Sequence, residues 1–137
     1  MVNNFKELNV WKASIKLVKD VYQVTKSYPK VEDYTLTSQI RRAAISVPSN
    51  ISEGAGKSST AEYIRFVDIS LGSLAELETQ IIISYELGYI ELKQQNELLT
   101  DINKIGKMLG AMRMSLEKKK INSPNKKSLS LITNTNH

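Results

Sequence analysis

Apolar residues recur three and four positions apart along most of the chain. Between residues 8 and 28, Trp11, Ile15, Val18, Val21, Tyr22 and Thr25 share one side of a 3.6-residue period, while Lys12, Lys16, Lys19, Gln23 and Lys26 take the same steps on another. This is the pattern of an amphipathic helix, closed by Pro29 because the residue before a proline avoids the α region. A second helix is predicted over 35–53, with Leu36, Ile40, Ala43, Ala44, Val47 and Ile51 as its apolar face and Pro48 inside it. Gly54-Ala55-Gly56 follows and offers glycine for a left-handed cap. Ser59-Thr60-Ala61-Glu62 reads as a capping box opening a third helix over 60–87. That helix carries Tyr63, Phe66, Val67, Ser70, Leu74, Leu77, Ile81 and Tyr85, and at Ile81-Ile82-Ile83 it has almost no polar side. At that level it must be buried on two sides or covered by a partner subunit. Gly88 serves as its C-cap. The fourth helix, over 94–119, places Leu98, Ile102, Ile105, Leu109, Met112 and Leu116 four and three residues apart, a heptad seam. Gly106 and Gly110, one turn apart, would permit a close backbone approach on this helix.

No useful stretch of β alternation occurs. Four amphipathic helices with short connections predict an all-α protein, an antiparallel up-down four-helix bundle. The bundle domain is placed at residues 1–120, and the Asn-, Ser- and Lys-rich segment 121–137 is read as a disordered polar and basic tail.

Composition narrows the chemistry. The 137 residues suit one domain with a real core. Cysteine is absent and the only histidine is His137, which removes disulfides, thiolate sites, histidine metal clusters and Ser-His-Asp triads. Catalysis would fall to carboxylates or a carboxylate-bound Mg²⁺, so no enzyme, cofactor or metal is expected. No run approaches the roughly 18 apolar residues of a membrane span, and the start lacks a signal-peptide layout. A soluble cytoplasmic protein without membrane contact is expected.

The net charge of +5 is uneven: residues 1–60 carry +4, residues 61–100 carry −5 and residues 101–137 carry +6. Basic segments attract phosphate by counterion release, although Lys118-Lys119-Lys120 also suits a solvated helix C-terminus. Gly54-Ala55-Gly56-Lys57-Ser58 looks like the end of a phosphate-binding loop. However, Ile51 stands where the first glycine is needed, and no strand precedes it. A flexible connection is the better reading, with Lys57 and the third helix's N-terminus left to hold a backbone phosphate. Gln39, Arg42, Ser46, Asn50 and Glu53, spaced 3, 4, 4 and 3, form a polar stripe beside the apolar face of helix 2. A buried network pairing Arg41 or Arg42 with Glu53 or Glu76 would fix register and subunit orientation. On that reading Arg42, Asn50 and Glu53 are buried. Trp11, in helical step with Ile15 and Val18, is read as core or interface rather than as a base-stacking ring.

The run Gln39-Ile40-Arg41-Arg42-Ala43-Ala44-Ile45-Ser46-Val47-Pro48-Ser49-Asn50-Ile51-Ser52-Glu53-Gly54 resembles the bacterial four-helix-bundle proteins encoded in 23S rRNA intervening sequences. Leu8, Val10 and Trp11, Tyr28-Pro29 with Glu32 and Tyr34, Gly72-Ser73-Leu74 with Glu76-Leu77-Glu78, and Leu87-Gly88-Tyr89 add to the likeness, which covers about residues 5–115. Ser52 departs from the pattern, where alanine is expected, and the basic tail after Lys118 lies outside it. The resemblance implies an antiparallel bundle assembled as a homopentamer. It is similar too to the accessory proteins of diversity-generating retroelements, basic pentamers that bind nucleic acid and a reverse transcriptase. It implies no enzymatic activity.

The function expected from all this is a non-enzymatic oligomer that binds RNA or DNA through basic patches. These are formed by Lys12, Lys16, Lys19 and Lys26 on helix 1 and by Lys104, Lys107, Arg113, Lys118, Lys119 and Lys120 on helix 4. Self-association, a ribosomal RNA context and a reverse transcriptase are the expected partnerships. A protein-interaction scaffold without direct nucleic-acid contact is the alternative.

Overall fold

The computed structural model describes residues 4–122. Four helices account for most of them: α1 (Asn9–Thr25), α2 (Leu36–Ala55), α3 (Thr60–Glu86) and α4 (Leu92–Asn122). Single 3₁₀ turns lie at Phe5–Glu7 and Lys30–Glu32, and no strand occurs among the described residues. α4 continues two residues past the predicted domain limit at 120. The rest of the predicted tail lies outside the described residues.

Each helix touches the next in sequence, and α4 also returns to α1, whereas α1 does not meet α3 and α2 does not meet α4. Neighbours run antiparallel. Thr25 meets Arg41 at one end of the α1–α2 seam, and Trp11 lies beside Ser52 at the other. Ser46 faces Ser73, while Gly54 abuts Phe66. Asp68 reaches Arg113, and Lys16 reaches Asp101. The protein is therefore an up-down four-helix bundle.

The core is filled by the predicted faces of three helices: Ile40, Ala44, Val47 and Ile51 from α2, Val67, Leu74, Leu77 and Ile81 from α3, and Ile102, Ile105 and Leu109 from α4. α1 differs from expectation. Its buried line is Val10, Ser14, Leu17, Val21 and Thr25, whereas Ile15 and Tyr22 are exposed and Trp11 is half-buried against Phe5. Two hydroxyl residues sit in the core line because each satisfies itself locally. Ser14 Oγ donates to the Trp11 carbonyl at 2.7 Å and Thr25 Oγ1 to the Val21 carbonyl at 2.8 Å.

Local signals set the helix ends. Ser59 Oγ accepts from the Glu62 amide at 3.1 Å, one half of the capping box, while the Glu62 carboxylate turns to Arg65. Gly88, at φ +80°, closes α3 in the left-handed conformation. Gly56 does not, being right-handed at φ −85°. The close approach that Gly106 and Gly110 would permit is found at Gly54 instead. A Cβ there would lie 2.9 Å from both Phe66 Cβ and Tyr63 Cδ1, whereas Gly106 and Gly110 have nothing within 4 Å. The 29–35 connection is tied to the α3–α4 turn by Glu32, which accepts from Thr35 Oγ1 at 2.6 Å and from Tyr89 Oη at 2.8 Å.

Candidate nucleic-acid interface and the polar stripe

The basic residues collect on one half of the bundle. α1 and α4 together hold ten Lys or Arg against four Asp or Glu, whereas α2 and α3 hold three against six. The −5 charge of segment 61–100 thus resides mostly on α3, which lies diagonally across the core from α1. Lys12, Lys19 and Lys26 follow one another at seven-residue steps, and all three are exposed. Lys104, Lys107 and Lys118 to Lys120 are exposed on α4.

Two of the predicted contact residues are already engaged. Lys16 points toward α4, with Nζ 2.7 Å from Asp20 and 3.5 Å from Asp101. The Asp20 hydrogen bond, followed by attraction to Asp101 and Asp20, raises its pKa. Arg113 points toward α3 and holds Asp68 through Nε at 2.6 Å and Nη2 at 3.2 Å, with Glu117 3.5 Å away. These pairs bind helix to helix and neutralise charge locally, so both residues are set apart from the free lysines. Lys119 turns to the end of the bundle and shares a cleft with Lys57, Ser58 and Ser115.

The polar stripe is only partly joined. Ser46 and Ser73 hydroxyls bond at 2.7 Å, and Asn50 Nδ2 donates to the Ser46 carbonyl at 2.8 Å and to its hydroxyl at 2.9 Å. Gln39, Arg42, Ser46 and Glu76 line a shallow cleft between α2 and α3. Arg41 is on the other side of α2, where Nε donates to Thr25 Oγ1 at 2.9 Å and the guanidinium lies 4.5 Å from the Tyr22 ring centre. The predicted burial of Arg42 and Glu53 is not found within the chain: both are exposed, and Asn50 is half-buried. At 100° per residue, Ile40, Ala44, Val47 and Ile51 take the core side of α2 and leave positions 42 and 53 facing away. Glu53 lies 3.9 Å from Lys57. Among the described residues neither Arg41 nor Arg42 has a carboxylate within 4.0 Å.

Sequence reasoning missed two features. Lys93 belongs to the exposed face of α4, because the helix starts at Leu92, ahead of the predicted residue 94. The hydrogen bonds from Thr35 and then Tyr89 hold the Glu32 carboxyl below its usual pKa. Only contact between two distant turns shows that role. Among the described residues no cluster of three metal-ligating side chains occurs, and no helix is long and apolar enough to cross a membrane.

No curated protein matches the chain. A solved protein with unknown function from the S23 ribosomal protein family of Bacteroides thetaiotaomicron VPI-5482 has a similar fold, with TM-score 0.71 and 23% identity. The match covers 76% of this chain and 97% of that one. The family model for the 23S rRNA-intervening sequence protein matches residues 6–111, a span that takes in α1, α2 and α3 whole and α4 as far as Ala111. The α2 motif, the Ser46–Ser73 contact and the Tyr28 and Tyr89 rings, whose centres lie 5.3 Å apart, all fall inside it, and the chain belongs to the 23S rRNA-intervening sequence protein family.

Proposed function

We propose that this protein is a non-enzymatic, ring-forming nucleic-acid-binding protein that acts through phosphate contacts. The observation that carries the reading is the segregation of charge: free lysines on the α1–α4 half, carboxylates concentrated on α3. Attraction to a phosphate backbone needs a local excess of cations and no sequence-reading element. The family takes its name from 23S rRNA intervening sequences, which supports structured RNA as the first probe to use.

Two separate apolar surfaces support assembly into a ring. One lies along α1 and α2, where Ile15 is 42% and Ile45 41% exposed beside Phe5, Trp11 and Pro48. The other lies on α3, where Ile69 is 38% and Ile83 42% exposed. A ring joins two different surfaces head to tail, whereas a two-fold dimer needs only one. Five copies are our proposal for the closed assembly, with a formal charge of about +25. Repetition of the lysine patches would then add avidity.

A salt titration of structured-RNA binding tests the function. Affinity should fall steeply from about 50 to 200 mM salt, and reversal of Lys118, Lys119 and Lys120 to Glu should weaken binding to all sequences alike. Tight binding with a flat salt response, or no binding at low salt, refutes the reading and favours a protein-interaction scaffold. Sedimentation tests the ring: Ile15→Glu and Ile83→Glu should each open it, and a monomeric wild type at micromolar concentration would exclude it.

A further inference from the structure

The free lysines of α4 have a spacing of their own. On a helix advancing 100° per residue, Lys93, Lys104, Lys107 and Lys118 fall within about a 60° sector. All four are exposed, and among the described residues none has a carboxylate within 4.0 Å. The three carboxylates of α4 lie outside that sector. Asp101 is engaged with Lys16, Glu117 with Arg113, and Glu97 lines the α1–α4 cleft with Asp20. The face is therefore a row of cations along one continuous 31-residue helix.

Along the axis the row is periodic. At about 1.5 Å per residue, Lys118 stands roughly 37 Å from Lys93, with Lys104 and Lys107 about 16 and 21 Å along. One turn of a B-form duplex advances about 34–36 Å. A strand passing Lys93 thus returns near Lys118, within the reach of flexible lysine stems, and the complementary strand crosses in between, where Lys104 and Lys107 lie. A single strand imposes no such repeat and is usually gripped by aromatic rings on which bases stack. α4 contains no Phe, Tyr or Trp. On α1, Trp11 packs on Phe5 and Tyr22 lies under Arg41.

We infer that the outward face of α4 is a docking surface for one turn of B-form double-stranded DNA, held by phosphate contacts from Lys93 and Lys118 to one strand and from Lys104 and Lys107 to the other. The inference rests on the nucleic-acid reading above and narrows it to a duplex of defined pitch.

The test is fluorescence anisotropy on the full chain with four probes: 16-bp and 8-bp duplex DNA, 16-bp duplex RNA and a 16-nucleotide single strand. The 16-bp DNA duplex should bind at least tenfold tighter than each of the others. The 8-bp duplex is too short to meet Lys93 and Lys118 together. With four contacts the log–log salt slope should be about −3.6, a loss of about 150-fold between 50 and 200 mM salt. The double variant Lys93→Ala/Lys118→Ala should reduce the slope by about 1.8 and abolish the preference for 16 bp over 8 bp, with unchanged helical circular dichroism. Salt-dependent binding in which duplex RNA or the single strand equals or exceeds the DNA duplex overturns this inference and leaves the nucleic-acid reading standing. So does an unchanged slope in the double variant. No binding of any probe at low salt overturns both.

Discussion

Adding one methyl group at Gly54 tests the packing of α2 on α3. In an open helix interior, Gly→Ala stabilises by about 1 kcal/mol, because alanine loses less backbone entropy on folding. At Gly54 the new Cβ would meet Phe66 Cβ and Tyr63 Cδ1 at 2.9 Å and the Tyr63 carbonyl at 3.3 Å. Phe66 Cβ is one bond from the backbone and the carbonyl is backbone itself, so relief requires the helices to separate. Overpacking of this kind costs about 1–3 kcal/mol. Two contacts below 3.0 Å place this site at the upper end, so after the propensity gain Gly54→Ala should destabilise by about 2 kcal/mol. Gly106→Ala is the matched control: it lies inside α4 with nothing within 4 Å of the new Cβ, and it should stabilise by about 1 kcal/mol. Urea denaturation followed by circular dichroism, at one fixed protomer concentration because any self-association contributes to apparent stability, gives both values. A Gly54→Ala protein as stable as the wild type or more so would refute the close approach. Loss of stability in Gly106→Ala that grows with dilution would place a subunit contact on that face of α4.

Two further outcomes follow from single hydrogen bonds. Ser70 is fully buried and its hydroxyl donates to the Val47 carbonyl at 3.0 Å; Ser70→Ala should cost about 1 kcal/mol in the same urea assay, and no change would show that the bond contributes nothing net. Glu32 has its carboxyl held below the ordinary value of 4.5 by Thr35 and then Tyr89. The unfolded chain binds its proton first as pH falls, so the contribution of Glu32 is present above about pH 4.5 and is lost as pH drops through the folded value. Urea midpoints measured from pH 6 to pH 3 should fall less steeply for Glu32→Gln than for the wild type. A steeper fall in the variant would reverse the sign of the coupling.

The core line of α1 shows where pattern reading reaches its limit: Val21 and Thr25 stand on the predicted face, whereas Ser14 does not. Trp11, Ile15 and Val18 are the more apolar series, and periodicity alone turns them inward. The structure buries Ser14 and Thr25, whose hydroxyls bond to their own helix, and leaves Ile15 on the surface. Hydropathy ranks side chains one at a time, whereas the bundle needs small self-satisfied groups where helices approach and leaves Ile15 exposed. Gly54 makes the same point beside Gly106. In sequence Gly54 reads as a cap residue and Gly106 as helix interior, and only the crossing of α2 over α3 decides which one a neighbour presses against.

Local chemistry was enough to determine the helices, their order and most of their ends. Pro29, the Ser59 cap and Gly88 act through bonds within a few residues, and short connections leave antiparallel neighbours as the compact arrangement. The α2 motif, Gln39 to Gly54, was likewise enough to indicate the family. The charged groups required the tertiary structure. Lys16 has Asp20 one turn along its own helix, but its second partner Asp101 and the Asp68 partner of Arg113 come within reach only where α1 packs on α4 and α3 on α4. Arg42 and Glu53 read as a buried network until the packing of α2 turns them outward. A helix terminus is set by its own chain, whereas the state of a charge depends on what stands across from it, and in this bundle those partners lie from 45 to 85 residues away in sequence.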